Sequence, residues 1–156
     1  RRWFLIAAAE SDGKLLTFGL DRIDGVENLP SHKYVDYDGD LNELYEDIIG
    51  VTYKGDSPVY KIMLWVSDNS KDYVVTKPLH ESQRSVSEAK AQELYSLFPT
   101  LSGGQFFIIE CKENYELIRE LTSFGKDLVV LSPKPITDLV ERRVLEMFEI
   151  YSKLRT

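Results

Sequence analysis

The sequence predicts an α+β chain, and three observations predict it. Residues 2–9 and 14–23 read as apolar strands on either side of Ser11-Asp12-Gly13, a turn in which Asp-Gly supplies the backbone freedom a hairpin needs. Residues 59–131 alternate strand-type and helix-type patterns. A single amphipathic stretch over 135–153 closes the chain. The order strand, helix, strand, insert, strand, helix, strand over 59–131 is that of a ferredoxin-like split β-α-β sandwich.

Taken in order, the first strand opens on Trp3-Phe4-Leu5-Ile6, and alternation turns only one of Trp3 and Phe4 toward a core. The second carries Phe18, Leu20 and Ile23, which the same pattern turns inward, and it ends on the Asp21-Arg22 pair. Residues 24–39 are polar and turn-rich and read as a connector. A short helix is expected over 41–48, capped by Asp40, with Leu41, Leu44, Tyr45 and Ile48 on one face and Gly50 at its end. The turn Lys54-Gly55-Asp56-Ser57-Pro58 and a change in charge place a boundary near residue 50, dividing the chain into 1–50 and 51–156.

In the second part, Val59 to Val66 is a strand, and a helix follows from Asn69 to Lys77, stopped by Pro78. Leu79 to Val86 reads as extended, and Ser87 to Tyr95 favours helix ahead of the Gly103-Gly104 turn. Gln105 to Cys111 is a near-continuous apolar strand. The next helix, 113–124, presents Leu117, Ile118, Leu121 and Phe124, with Gly125 suited to the position just past its end. Leu128 to Leu131 is the last strand, and the final helix aligns Ile136, Val140, Val144, Phe148 and Tyr151.

Charge and composition narrow the function. The formal net charge is −7, with five Lys/Arg against eleven Asp/Glu in residues 1–50 and fourteen against fifteen thereafter, so the chain has no broad basic surface for duplex binding. No apolar run is long enough to span a bilayer. Cys111 is the single cysteine, which excludes an internal disulfide and suits a reducing cytoplasm. Phosphate-loop, dinucleotide and zinc-protease motifs are absent, so no cofactor and no metal is expected. The chain opens without Met, directly into an apolar run, and reads as a fragment that has lost an N-terminal part.

Four stretches together carry a family resemblance. These are Trp3-Phe4-Leu5, Thr17 to Ile23, Pro78-Leu79-His80-Glu81-Ser82-Gln83, and Leu121 to Gly125 followed by Leu128 to Pro133. The set resembles the C-terminal region of bacterial WYL-domain transcriptional regulators, in which a winged helix-turn-helix precedes an Sm/SH3-like β-barrel (WYL) and a ferredoxin-like extension (WCX). The resemblance implies that residues 1–23 are half of that barrel and residues 59–133 the extension. It also implies a homodimer, a nucleotide or single-stranded nucleic-acid effector, and promoter DNA held only by a domain absent from this chain. Phe4 stands where the family has Tyr, and Leu16 and Gly19 stand where it has Arg, so two cations expected at a ligand site are missing.

The candidate ligand contacts are Arg22, Phe4 and Lys14 on the barrel side and His80 and Gln83 on the other, with the Lys54-to-Pro58 turn as a hinge between them. Arg22 offers a planar fork to a phosphate or carboxylate, or alternatively forms a salt bridge at the domain junction. Phe4 could stack on a base. Arg1 and Arg2 could extend a basic edge with Lys14. His80 and Ser82, two apart on an extended segment, share a face, but no carboxylate and oxyanion hole complete a triad, so no catalytic residue is assigned. His32 has no metal-ligand partner at useful spacing, and Cys111 reads as a small buried hydrophobe. A non-sensing dimerisation scaffold is the alternative reading.

Overall fold

The computed structural model describes residues 3–55 and 57–155. Arg1 and Arg2 of the expected basic edge, and Asp56 of the expected hinge, lie outside the described residues. The fold is α+β, with two antiparallel sheets and five α-helices among those residues.

Strands β1 (Phe4–Ala8) and β2 (Leu15–Gly19) form a hairpin in which Ala8 pairs with Leu15 and Phe4 with Gly19; among the described residues no barrel closes. The turn is the one the sequence predicts, closed by the Ala9 and Gly13 amides on the Lys14 and Ala9 carbonyls. The second strand is shorter than expected. It stops at Gly19, and Leu20–Arg22 form a single 3-10 turn, so strand alternation does not orient Asp21 and Arg22. Phe18 and Leu20 face outward, 42% and 49% exposed, and Trp3 is exposed as well. A two-stranded ribbon buries an apolar face only when another layer covers it, and no described element covers this one.

Helix α1 (Leu41–Glu46) is shorter than the expected 41–48, and it is capped as expected by Asp40, whose carboxylate accepts from the Asn42 amide at 2.7 Å. Ile48 is buried and Leu41 is exposed.

The larger sheet holds β3 (Val59–Val66), β4 (Arg84–Ser85), β5 (Gln105–Lys112) and β6 (Leu128–Ser132) in the order β4-β5-β3-β6, every neighbour antiparallel. The two central strands come from the two β-α-β halves, which is the split arrangement the element order predicts. Alternation sends Ile62, Leu64 and Val66 of β3, with Phe107, Ile109 and Cys111 of β5, to one face. There they meet Val74 of α2 (Lys71–Thr76), Leu117 and Leu121 of α4 (Tyr115–Ser123), and Ile136 of α5 (Lys134–Lys153). Trp65 and Phe106 turn to the opposite face, where Leu94 and Tyr95 of α3 (Glu88–Leu97) cover them. The insert therefore adds a third layer, on the sheet face opposite α2, α4 and α5. Its helix is capped by Ser87, whose hydroxyl accepts from the Lys90 amide.

Helix α2 begins at Lys71, two residues later than expected, because the Ser67 carbonyl accepts from both Ser70 and Lys71 and forms a tight turn first. The expected extended stretch 79–86 is also corrected. Residues 79–83 turn, with the Gln83 amide on the His80 carbonyl, and only Arg84 and Ser85 pair with β5. Side chains within the turn satisfy the backbone groups that a longer strand would have paired.

Candidate functional site

A cleft of about 860 Å³ opens between the hairpin and the sandwich. One wall is the hairpin with its 3-10 turn, including Phe4, Thr17 and Arg22; the floor is Gly50–Tyr53; the far wall is one side of α4, with Tyr115, Glu116 and Arg119.

Hydrogen bonds join these three segments. The Tyr45 hydroxyl bonds Thr17 Oγ1 at 3.1 Å, and Thr17 donates to the Val51 carbonyl at 3.4 Å. Thr52 Oγ1 donates to Glu116 Oε1 at 2.8 Å. Asn114, 1% exposed, fastens floor to far wall: its side-chain amide donates to the Ile49 and Thr52 carbonyls, and its carbonyl oxygen caps α4 at the Leu117 amide. Gly50, at φ +84°, lies against Glu116, where a Cβ would approach Glu116 Cγ to 2.5 Å.

The charges in the cleft are unevenly satisfied. Neither Arg22 nor Arg119 makes an ion pair or side-chain hydrogen bond with a described residue, and both are exposed. The junction salt bridge considered for Arg22 is therefore not formed with any described residue. Glu116 Oε2 is buried without a donor among the described residues. Tyr115 carries Arg143 over its ring at 5.6 Å, and Lys112 lies over Tyr53 at 5.9 Å.

The sequence-predicted candidates divide. Phe4 and Arg22 line the cleft. Lys14 sits at the hairpin turn, paired with Asp12 at 2.8 Å, which holds the Asp12 carboxyl below its usual range. His80 is buried at the junction of α1 with the sandwich, where Nε2 meets the Glu46 carbonyl at 2.8 Å and Nδ1 meets Ser82 Oγ at 2.7 Å. Because a carbonyl only accepts, Nε2 carries the proton and Nδ1 is the acceptor. Gln83 accepts from the Leu79 amide and donates to the Val74 carbonyl. His80 and Gln83 thus use their polar atoms within the fold. Cys111 is fully buried, and desolvation with the nearby Asp47 charge pushes its thiol up to about 12. No group of three or more His, Cys, Asp or Glu side chains among the described residues could hold a metal.

Sequence reasoning missed Arg119, Tyr115, Tyr53 and Asn114. Tyr115 and Arg119 stand four apart on α4 and so share a face, a spacing legible in the sequence. That this face meets the hairpin is not legible.

The order and pairing of β3 to β6 now stand beside one further finding: a family model described as the WCX domain matches residues 58–148. This chain belongs to the WCX-domain family. The WCX match covers the larger sheet, α2 to α4 and most of α5, and it begins just after the cleft floor. WCX domains are part of WYL-type regulators. The cleft therefore lies between the WCX domain and the segment that precedes it. No curated protein matches the chain. No helix among the described residues is long and apolar enough to cross a membrane.

Proposed function

We propose that this chain is the effector-sensing region of a bacterial, cytoplasmic WYL-type transcriptional regulator. Its cleft takes an anionic effector of the nucleotide or single-stranded nucleic-acid class. The observation that carries this reading is the pair Arg22 and Arg119, guanidinium groups on opposite walls of one cleft, neither paired with a described residue. A phosphate between them would receive planar, charge-assisted hydrogen bonds from both sides. Phe4, Tyr53 and Tyr115 line the same cleft and offer ring faces to a base.

In this reading, residues 1–23 are half of a WYL barrel, a connector carries the chain on to residue 50, and the Lys54-to-Pro58 turn is the hinge that the effector sets. The site has one wall on each part, so an effector binds the closed arrangement better than the open one and shifts the population toward it. A helix-turn-helix domain outside this chain would read the promoter. The reading is non-enzymatic and requires no cofactor. A second reading, a dimerisation scaffold that senses nothing, is favoured by a different observation, the uncovered apolar face of α5.

Calorimetric titration of the chain with single-stranded DNA, RNA oligomers and cyclic nucleotides tests the proposal. Binding should weaken with salt, as phosphate contacts do, and Arg22→Ala and Arg119→Ala should each weaken it by roughly tenfold or more. Absence of binding to all three ligand classes, or binding indifferent to both arginines, would overturn it.

A further inference from the structure

We propose that Thr17 is a positioning residue for the cleft: its one hydroxyl pins the hairpin to the cleft floor and so sets the distance between the Arg22 and Arg119 walls. The consequence for affinity rests on the effector reading above, whereas the joint itself does not. The hairpin brings no buried side chain to the fold, since no described residue before Ile48 is buried and neither core cluster includes one of its residues. Among the described residues, the hydrogen bonds that leave β1 and β2 for the rest of the chain both belong to Thr17 Oγ1. Apolar burial is non-directional and here is slight, so the directional bonds of this hydroxyl decide how the hairpin is seated.

Both partners of the hydroxyl are fixed to the sandwich. A carbonyl only accepts, so Thr17 gives its proton to Val51 at 3.4 Å and Tyr45 donates to Thr17 at 3.1 Å. Tyr45 stands on α1, whose end is clamped by His80 on the Glu46 carbonyl at 2.8 Å and by the Lys112 amide on the Asp47 carbonyl at 2.6 Å. Its ring lies beside that of Tyr53, with centroids 6.4 Å apart. Val51 belongs to the floor that Asn114 and Glu116 tie to α4. On the hairpin side, the Leu20 amide on the Trp3 carbonyl at 3.0 Å holds the 3-10 turn to β1, so Arg22 moves with the hairpin. From Thr17 to Arg22 the lever is about 13 Å, and a rotation of roughly 10° about Thr17 carries Arg22 by about 2 Å. That is more than a hydrogen bond tolerates. The seating of Thr17 is a second joint beside the Lys54-to-Pro58 turn, and it sets the fraction of molecules competent to bind.

Double electron–electron resonance between spin labels at Ser11→Cys in the hairpin turn and Ser123→Cys at the end of α4 provides the test. Both positions are exposed, and Cys111 is fully buried, so the introduced cysteines take the label. Thr17→Val keeps the branched shape that suits a strand and loses the hydroxyl. It should broaden the distance distribution by about 2 Å or more, as should Tyr45→Phe, and Thr17→Ser should keep the narrow one. The melting temperature should hold in all three, because the hairpin lies outside the core. Calorimetric titration with a single-stranded DNA oligomer reads the consequence: Thr17→Val and Tyr45→Phe should each weaken binding by roughly tenfold, the loss expected when about one molecule in ten remains seated. Tyr45 does not line the cleft, so its effect is not a lost ligand contact. Unchanged distances in Thr17→Val and Tyr45→Phe, or a distribution that Thr17→Ser also broadens, would overturn the joint. Broadened distances with unchanged oligomer affinity would overturn its positioning role. Broadened distances in a chain whose unsubstituted form binds no oligomer would support the joint and count against the effector reading.

Discussion

Asn114 donates its side-chain amide to the Ile49 carbonyl at 2.8 Å and, from the same side chain, accepts from the Leu117 amide at 2.8 Å. One residue therefore caps α4 and fixes the chain entering the WCX domain, so the floor of the cleft and its far wall form a unit. Asn114→Ala removes the cap and strands two backbone carbonyls. Each loss is worth about 1 kcal/mol, so a destabilisation of roughly 2–3 kcal/mol is expected in urea unfolding. Asn114→Asp keeps the cap but sets a buried carboxylate oxygen against the Ile49 and Thr52 carbonyls, so it should destabilise at least as much as Asn114→Ala.

His80 plays the corresponding part for α1. Its Nε2 proton satisfies the Glu46 carbonyl, and its Nδ1 accepts from Ser82, whose hydroxyl in turn meets the Glu110 backbone of β5. His80→Ala breaks this chain inside a partly buried site and should cost about 1–3 kcal/mol, a fall in melting temperature of several degrees. A change smaller than the scatter among surface substitutions would show that α1 is held by Ile48 alone.

Gly104 marks the tightest point of the sandwich. At φ +74° it occupies the left-handed region, and a Cβ there would run into the Val66 carbonyl oxygen at the end of β3. Neither the backbone nor the carbonyl can yield cheaply, so Gly104→Ala should destabilise by about 2–4 kcal/mol or abolish soluble expression. The adjacent Gly103 carbonyl accepts from Trp65 Nε1 at 3.0 Å and from Tyr95 Oη at 2.7 Å, so the damage should also appear in Trp fluorescence.

Cys111 gives the alkaline dependence. Burial lifts its thiol from 9.0 to about 12 in the fold, while the unfolded chain ionises near 9. Below pH 9 both states hold the proton and the group contributes no slope. As pH rises from 9 toward 12 the unfolded state loses its proton first, so stability falls across that window. Cys111→Ala should be less stable near neutrality, because it leaves a cavity, and should show a shallower loss of stability above pH 9. In the native chain the thiol should resist alkylation at pH 8 and react once denatured.

Asp127 gives the acid dependence. Its carboxylate accepts from Ser67 Oγ at 2.6 Å, and with help from Lys126 and Asn69 this holds its carboxyl below the usual 3.8. The stabilisation is complete above pH 4 and is lost as pH falls through the lowered value, the expected sign for a depressed carboxyl. Asp127→Asn should flatten the acid limb of a melting-temperature profile.

What the sequence determined by itself was local. The apolar runs Val59–Val66 and Gln105–Cys111, the helical period in Leu117, Ile118, Leu121 and Phe124, the helix propensity after Ser87 and the cap at Asp40 each put the deciding signal within a few residues, and the elements lie there. The order of those elements then gave the split β-α-β sandwich, and the four short motifs, not that order, carried the WCX resemblance. Tertiary structure decided what depends on distant neighbours. Phe18 and Leu20 carry an inward pattern yet lie exposed, because burial needs a covering layer that alternation alone does not provide. Arg119 becomes a cleft residue, and His80 a joint, only because the chain returns at residues 46–53 to lie against them. Propensity and periodicity are short-range properties of a sequence, whereas a site is an agreement among segments tens of residues apart. The strands and helices could therefore be read in advance, and the wall that faces Arg22 could not.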